Sequence, residues 1–251
     1  MRILVVNPNT TASMTASIGA CAARVTSCEV VAVNPAMGPA SIESHYDEAL
    51  AVPGLLREIE RGERAGAQGT VIACFGDPGL DAAREIAVGP VVGIAEAAMH
   101  VATLVGRTFG IVTTLSRTIG TAHDLVERYG FGGRCVAIRA CDIAVLDLDV
   151  PGSPARAVVT ELCRRVVEQD GADSVVLGCA GMADFCDEIA AAIGVPVIDG
   201  VAAGVKLIES LVALGLTTSR RDEYAPPPAK AYAGALEDFA RSPGTVGASV
   251  T

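Results

Sequence analysis

The chain has 251 residues, 51% hydrophobic and 4% aromatic, with no Trp and a formal net charge of −10. That length can bury a real core in one large or two small domains. The acidic balance argues against nucleic acid or an anionic membrane as partner.

The chain opens MRILVVNPNTT. Residues 2–6 (RILVV) read as a first strand, since the apolar run is too short for the core of a signal peptide. No later run approaches the ~18 apolar residues of a membrane helix, so a soluble cytoplasmic protein is expected. After the NPNTT turn, Met14, Ile18, Cys21 and Val25 recur at helical spacing. Strands are predicted next at 29–33 (EVVAV), 70–73 (TVIA) and 90–93 (PVVG). A second series follows at 108–112 (TFGIV), 134–138 (RCVAI), 174–177 (SVVL) and 196–198 (PVI). Asp77–Pro78, directly after Cys74, and Ser153–Pro154 each read as an N-cap with Pro at the first helical position. Val158, Leu162 and Val166 form the apolar stripe behind the second of these caps. Ser116 is placed to cap a helix over 117–129, which Gly130 stops. Helices are predicted at 201–214 and 229–240, and 242–251 (SPGTVGASVT) as a frayed tail. Short apolar strands alternating with amphipathic helices mark a parallel α/β fold. Ala, Val and Gly dominate the chain, which suits helices packed closely on a Val-rich sheet.

The eight cysteines do not read as a disulfide framework, because a chain of this size builds its own core. There is no C-x-x-C, and His45, His100 and His123 lie near no ligand pair at metal spacing, which argues against a structural zinc site. Lys206 sits in an amphipathic run and Lys230 in a Pro/Ala-rich stretch, neither beside a phosphate-cradling glycine loop. A pyridoxal Schiff base is therefore hard to build, and no cofactor is expected.

The two strand series repeat one unit. GAQGTVIACFG (66–76) aligns without a gap on GADSVVLGCAG (171–181), an offset of 105 that pairs Cys74 with Cys179. One residue further on, GPVVGIAEA (89–97) meets VPVIDGVAA (195–203), and at a similar offset ILVVNPNT (3–10) meets GIVTTLSR (110–117). Such a repeat implies two similar lobes: residues 1–97 plus 206–251 carrying Cys74, and 98–205 carrying Cys179. In an open parallel sheet, ligands bind beyond the carboxyl ends of the strands. Both cysteines stand there, so lobes facing each other about a pseudo-two-fold axis would aim two thiols into one cleft. A C–H held between them can lose its proton to one thiol and regain it from the other on the opposite face, which inverts a stereocentre. A thiol suits this work because its ordinary pKa, about 8.5, falls beside backbone N–H groups at a helix start. The flanking glycines let the backbone approach a substrate.

In NPNTTASMT (7–15), GPASIESHYDE (38–48), IACFGDPGLDAARE (72–85), PVVGIAEAAMH (90–100), LGCAGM (177–182) and PVIDGVAAGV (196–205), the chain resembles the aspartate/glutamate racemase superfamily, and within it the hydantoin racemases. The resemblance implies two flavodoxin-like α/β lobes, a site between them, an even-numbered homo-oligomer, and cofactor-independent two-base racemisation with Cys74 and Cys179 as the thiols. Racemases of free glutamate or aspartate carry Asn-Thr after the first cysteine and Thr-His after the second. Phe75-Gly76 and Ala180-Gly181 stand here instead, so the handles for an amino acid's charged ends are missing. Arylmalonate decarboxylases keep only the second cysteine, and this chain has both. The expected substrate is a small molecule, a 5-monosubstituted hydantoin. Allantoin, itself such a hydantoin, and maleate cis–trans isomerisation stay open, as do a non-catalytic two-lobed binding protein and a dithiol redox switch.

Further candidates for substrate contact are Asn9, at the end of the first strand, and Thr113, Thr114 and Thr118, at the matching end in the second lobe. Asn9 reads equally as a turn residue and the threonines equally as helix caps. Ser41 lies in SIESHYDE, a polar loop that could fold over the cleft, where His45 reads as exposed rather than catalytic. Phe75, Gly76, Ala180 and Gly181 flank the thiols. Asp77 reads as a cap rather than a general base. Cys21, Cys28, Cys135, Cys141, Cys163 and Cys186 have no repeat partner at a strand end and read as core or incidental.

Overall fold

The computed structural model describes residues 1–148, 150 and 153–241; the expected tail at 242–251 lies outside the described residues. Two parallel sheets form the frame. The first has the order β2-β1-β3-β4, built from β1 (Arg2–Val6), β2 (Glu29–Val33), β3 (Gly69–Ile72) and β4 (Val91–Gly93). The second repeats that order as β6-β5-β7-β8, from β5 (Phe109–Thr113), β6 (Cys135–Ala140), β7 (Ser174–Gly178) and β8 (Val197–Ile198). The central strands β3, β5 and β7 are buried throughout, as expected of strands covered on both faces. All eight strands fall where the alternating pattern puts them, within a residue or two at either end.

Pairing fixes the repeat more finely than letters do. Ile3 pairs with Gly69 and Phe109 with Ser174, so β1 maps onto β5 at an offset of 106. The sequence alignment of 3–10 with 110–117 is therefore one residue out of register. Corrected, Asn7 rather than Val6 is the counterpart of Thr113.

The helices are α1 (Ala12–Arg24), α2 (His45–Arg64), α3 (Leu80–Ile86), α4 (Ile94–Val105), α5 (Ile119–Arg128), α6 (Ala155–Glu168), α7 (Cys186–Ile193) and α8 (Gly200–Ala213). The helix after each sheet's last strand crosses to the other sheet: α4 packs on β7 and α8 on β3. The two meet closely, since a Cβ on Gly200 would lie 2.7 Å from the Ile94 carbonyl oxygen. One apolar core consequently runs through both lobes, from Ile3, Val5 and Val71 to Ile111, Val159 and Val176. Among the described residues no helix is long and apolar enough to cross a membrane.

Four local expectations are corrected. The buried stripe of α6 is Ala155, Val159, Cys163 and Val166, one step along from Val158 and Leu162, which are only half-buried. Ser116 does not cap α5; a 3-10 turn over Ser116–Thr118 intervenes, and the Ser116 hydroxyl donates to Asp142 instead. Residues 229–240 hold no α-helix, only a 3-10 segment at Gly234–Phe239 that buries none of its side chains. Without an apolar face to bury, a short helix gains too little to form. Asp77 is a cap, but of α4 rather than α3. Its carboxylate accepts from the N–H groups of Ala95 (3.0 Å) and Glu96 (2.9 Å). Gly93, the residue before α4, has no side chain to do so, and a Cβ there would collide with Asp77.

Candidate active site

A cavity of about 170 Å³ opens between the carboxyl ends of the two sheets, and Cys74 and Cys179 both line it. Cys74 comes from the turn after β3 and Cys179 from the residue after β7. The structure brings Asn9, Phe75, Gly76, Thr113, Thr114, Thr118 and Ala180 to the same cavity. It places Ser41 and Gly181 outside that lining. For Ser41 the neighbouring residues Ile42, Glu43 and Ser44 face inward in its stead. Gly181 sits behind Cys179, where an added Cβ would meet Leu148 Cδ1 at 3.3 Å and Cys179 Sγ at 3.7 Å.

The polar groups are ordered before any substrate arrives. Asn7 Nδ2 donates to Asn9 Oδ1 (2.8 Å) and to Thr15 Oγ1 (3.0 Å). Asn9 Oδ1 also accepts from the Thr11 N–H (2.9 Å), which serves the start of α1 where Thr11 gives no side-chain cap. Asn9 is thus a turn residue and a cavity wall at once. In the second lobe Thr113 Oγ1 and Thr118 Oγ1 share a hydrogen bond of 3.1 Å, and the Thr118 hydroxyl reaches the Leu115 carbonyl at 2.8 Å.

The two thiols stand in unlike surroundings. Residues 75–79 form a turn between Cys74 and α3, with Asp77 at φ 44° and Gly79 at φ 65°. Cys74 therefore does not sit at a helix start. The Gly76 N–H serves its sulfur, while burial, the largest influence, pushes the thiol well above its ordinary value. Cys179, Glu48 and Asp77 push in the same direction. Two neighbouring thiols in a poorly solvated cleft resist ionising together. Cys179 directly precedes a 3-10 segment at Ala180–Phe185. Gly178, before it, is needed for sheet packing as well as for substrate approach, since a Cβ there would lie 3.0 Å from Thr113 Cα.

Asp77 anchors the Cys74 turn. Its N–H donates to the Cys74 carbonyl (3.0 Å), and its carboxylate takes the Tyr129 hydroxyl (2.7 Å) besides the two α4 N–H groups. Tyr129 follows α5, so this buried carboxylate ties the turn of one sheet to a helix of the other. A second tie closes the mouth, where the Val145 N–H donates to Glu43 Oε1 at 2.8 Å.

Several lining residues are absent from the sequence reading, among them Asn7, Glu48 and Arg117. The slipped register sets Asn7 against Thr114, one place from its true counterpart. Glu48 and His45 belong to the first turn of α2, which Ser44 caps by accepting from the Asp47 N–H (3.2 Å). The signal was present as S-x-x-D ahead of a helical stretch. His45 is exposed, as expected, but it lies at the cavity wall rather than away from it.

The model of the Asp/Glu/Hydantoin racemase family matches residues 3–208. A hydantoin racemase of Pseudomonas sp. (strain NS671) is 47% identical over 96% of this chain and 98% of its own length. An allantoin racemase from Klebsiella pneumoniae superposes with a TM-score of 0.93 at 50% identity, covering 96% of this chain and 99% of that one. Allantoin racemase from Pseudomonas fluorescens gives 0.89 at 37% identity, covering 93% of this chain and 100% of that one. The chain belongs to the Asp/Glu/Hydantoin racemase family. It is an isomerase, a racemase of a small molecule.

Proposed function

We propose that the protein is a cofactor-independent racemase of 5-monosubstituted hydantoins that uses Cys74 and Cys179 as paired bases. The observation that carries this reading is the placing of both thiols, from equivalent strand ends of the two sheets, on one cavity. The hydantoin C5–H is flanked by a ring nitrogen and the C4 carbonyl. A thiolate on one face takes that proton, the C–H electron pair moves into an enolate on the C4 oxygen, and the opposite thiol delivers its own proton to the far face. The two sulfurs have then exchanged roles, and the next substrate of the opposite hand can bind at once.

The surrounding groups suit a neutral ring. Asn9, Thr114 and Thr118 offer uncharged donors and acceptors for ring amides, and a donor held in place can stabilise the enolate oxygen as charge develops. The Gly76 N–H supports negative charge on Cys74 against the cost of burial. On the same reading the lobes divide as residues 1–97 plus 206–251 and 98–205, boundaries that fall within α4 and α8. Allantoin stands as the second substrate reading, favoured by the 50% identity to the Klebsiella pneumoniae enzyme.

The test is the decay of optical rotation of an enantiopure 5-alkylhydantoin with enzyme dialysed against a chelator. Decay to zero at the undialysed rate is expected. Enzyme that leaves the rotation of every hydantoin tried unchanged would overturn the reading.

A further inference from the structure

Glu48 is a carboxylate that the two-thiol reaction does not use. Its side chain is only 25% exposed and lines the same cavity as both thiols. It packs on the backbone of Gly76, where an added Cβ would collide with Glu48 Oε1. Glycine at that position, two residues after Cys74, makes room for the carboxylate. Among the described residues the group facing its oxygens is His45 Nδ1 at 3.7 Å, beyond hydrogen-bond length. Burial, the largest influence, raises its pKa, and the exposed His45 offsets part of that.

A half-buried carboxylate on a cavity wall can take donors from the occupant. The ring is a poor source of them. A carboxylate beside the ring would face the enolate oxygen as it gains charge, which opposes the reaction. The ring's amides are matched instead by the neutral Asn and Thr groups at the strand ends. The planar enolate, with a thiol on each face, puts the ring on one side of C5 and its substituent on the other. The first turn of α2, bearing His45 and Glu48, reaches the cavity from a helix rather than from a strand end, and meets the Cys74 turn at Gly76.

We propose that Glu48 is the specificity-determining residue for the 5-substituent, accepting its N–H donors, so that hydantoins with a urea-type group at C5 react in preference to those with an alkyl group of the same shape. The inference rests on the hydantoin racemase reading and deepens it. The probes are allantoin, which carries a ureido group at C5, and 5-isobutylhydantoin, which has the same heavy-atom skeleton there and no N–H.

The experiment compares kcat/KM for both probes in the wild type, Glu48→Gln and Glu48→Leu, with melting curves for all three. The wild type should favour allantoin. Glu48→Gln should lower the allantoin-to-isobutyl ratio by about tenfold or more, the loss of a charge-assisted hydrogen bond, mainly through KM. Glu48→Leu should reverse the preference. An unchanged ratio in both variants, with wild-type melting curves, would overturn the role of Glu48 and leave the racemase reading standing. A wild type that racemises neither probe would overturn both.

Discussion

Cys74→Ala and Cys179→Ala should each lower racemisation by at least about a hundredfold to ten-thousandfold, the span that loss of one positioned base produces. Each single variant removes one face of the reaction and leaves the other. The enantiomer that presents C5–H to the surviving thiol can still lose its proton and take one back on the same face. In D₂O each variant should therefore exchange C5–H of one enantiomer with retention, and the two variants should favour opposite hands. The double variant should racemise no more slowly than the worse single one, because the two groups act as a unit. Chiral chromatography with mass detection reads both quantities. Near-wild-type racemisation by either single variant would exclude its cysteine as an essential base.

The second large effect is on Asp77. Asp77→Ala should destabilise the fold by about 3 kcal/mol, since it leaves two α4 N–H groups and the Tyr129 hydroxyl without their acceptor and each costs roughly 1 kcal/mol or more. For a chain of this size that is a fall in Tm of roughly 6–12 °C. Activity should fall with it, because the same carboxylate ties the turn that carries Cys74 to α4 and to Tyr129. The pH dependence has a definite sign. Burial pushes the Asp77 carboxyl up to about 6 from an ordinary 3.8. A group whose pKa is raised on folding contributes stability below its unfolded value and loses it as pH rises through the folded one. The protonation-linked part of its contribution should therefore be lost between about pH 4 and pH 6, while the hydrogen bonds to the carboxylate persist, and Asp77→Asn should flatten that part of the stability curve. Urea midpoints across that range measure it.

Much of this architecture was legible in the letters. Strand burial on both faces writes continuous Val/Ile/Leu runs, so all eight strands could be read. The gap-free match of 66–76 with 171–181 placed Cys74 and Cys179 as equivalents before any coordinates. Tertiary partners were not legible. Asp77–Pro78 looks like a local cap, yet its carboxylate serves a helix 18 residues later, a choice made by packing rather than by spacing. The alignment of β1 on β5 runs one residue out because apolar strands slide past each other at little cost, whereas backbone pairing admits one register. Glu48 could not be assigned because its place depends on how α2 closes over Gly76. The 229–240 segment differs for the opposite reason: its composition favours a helix, but its 3-10 segment buries no side chain.

The central claim is that two thiols act from opposite faces of one carbon. It is tested most directly by isotope placement in the wild type. An enantiopure 5-substituted hydantoin is racemised in D₂O, stopped at low conversion, and its enantiomers are separated and weighed by mass. The product enantiomer should carry deuterium at C5 while recovered substrate stays protiated, because the delivering thiol draws its hydrogen from solvent. Product that keeps the substrate's own hydrogen, or deuterium entering both enantiomers at equal rates, would contradict the two-thiol mechanism.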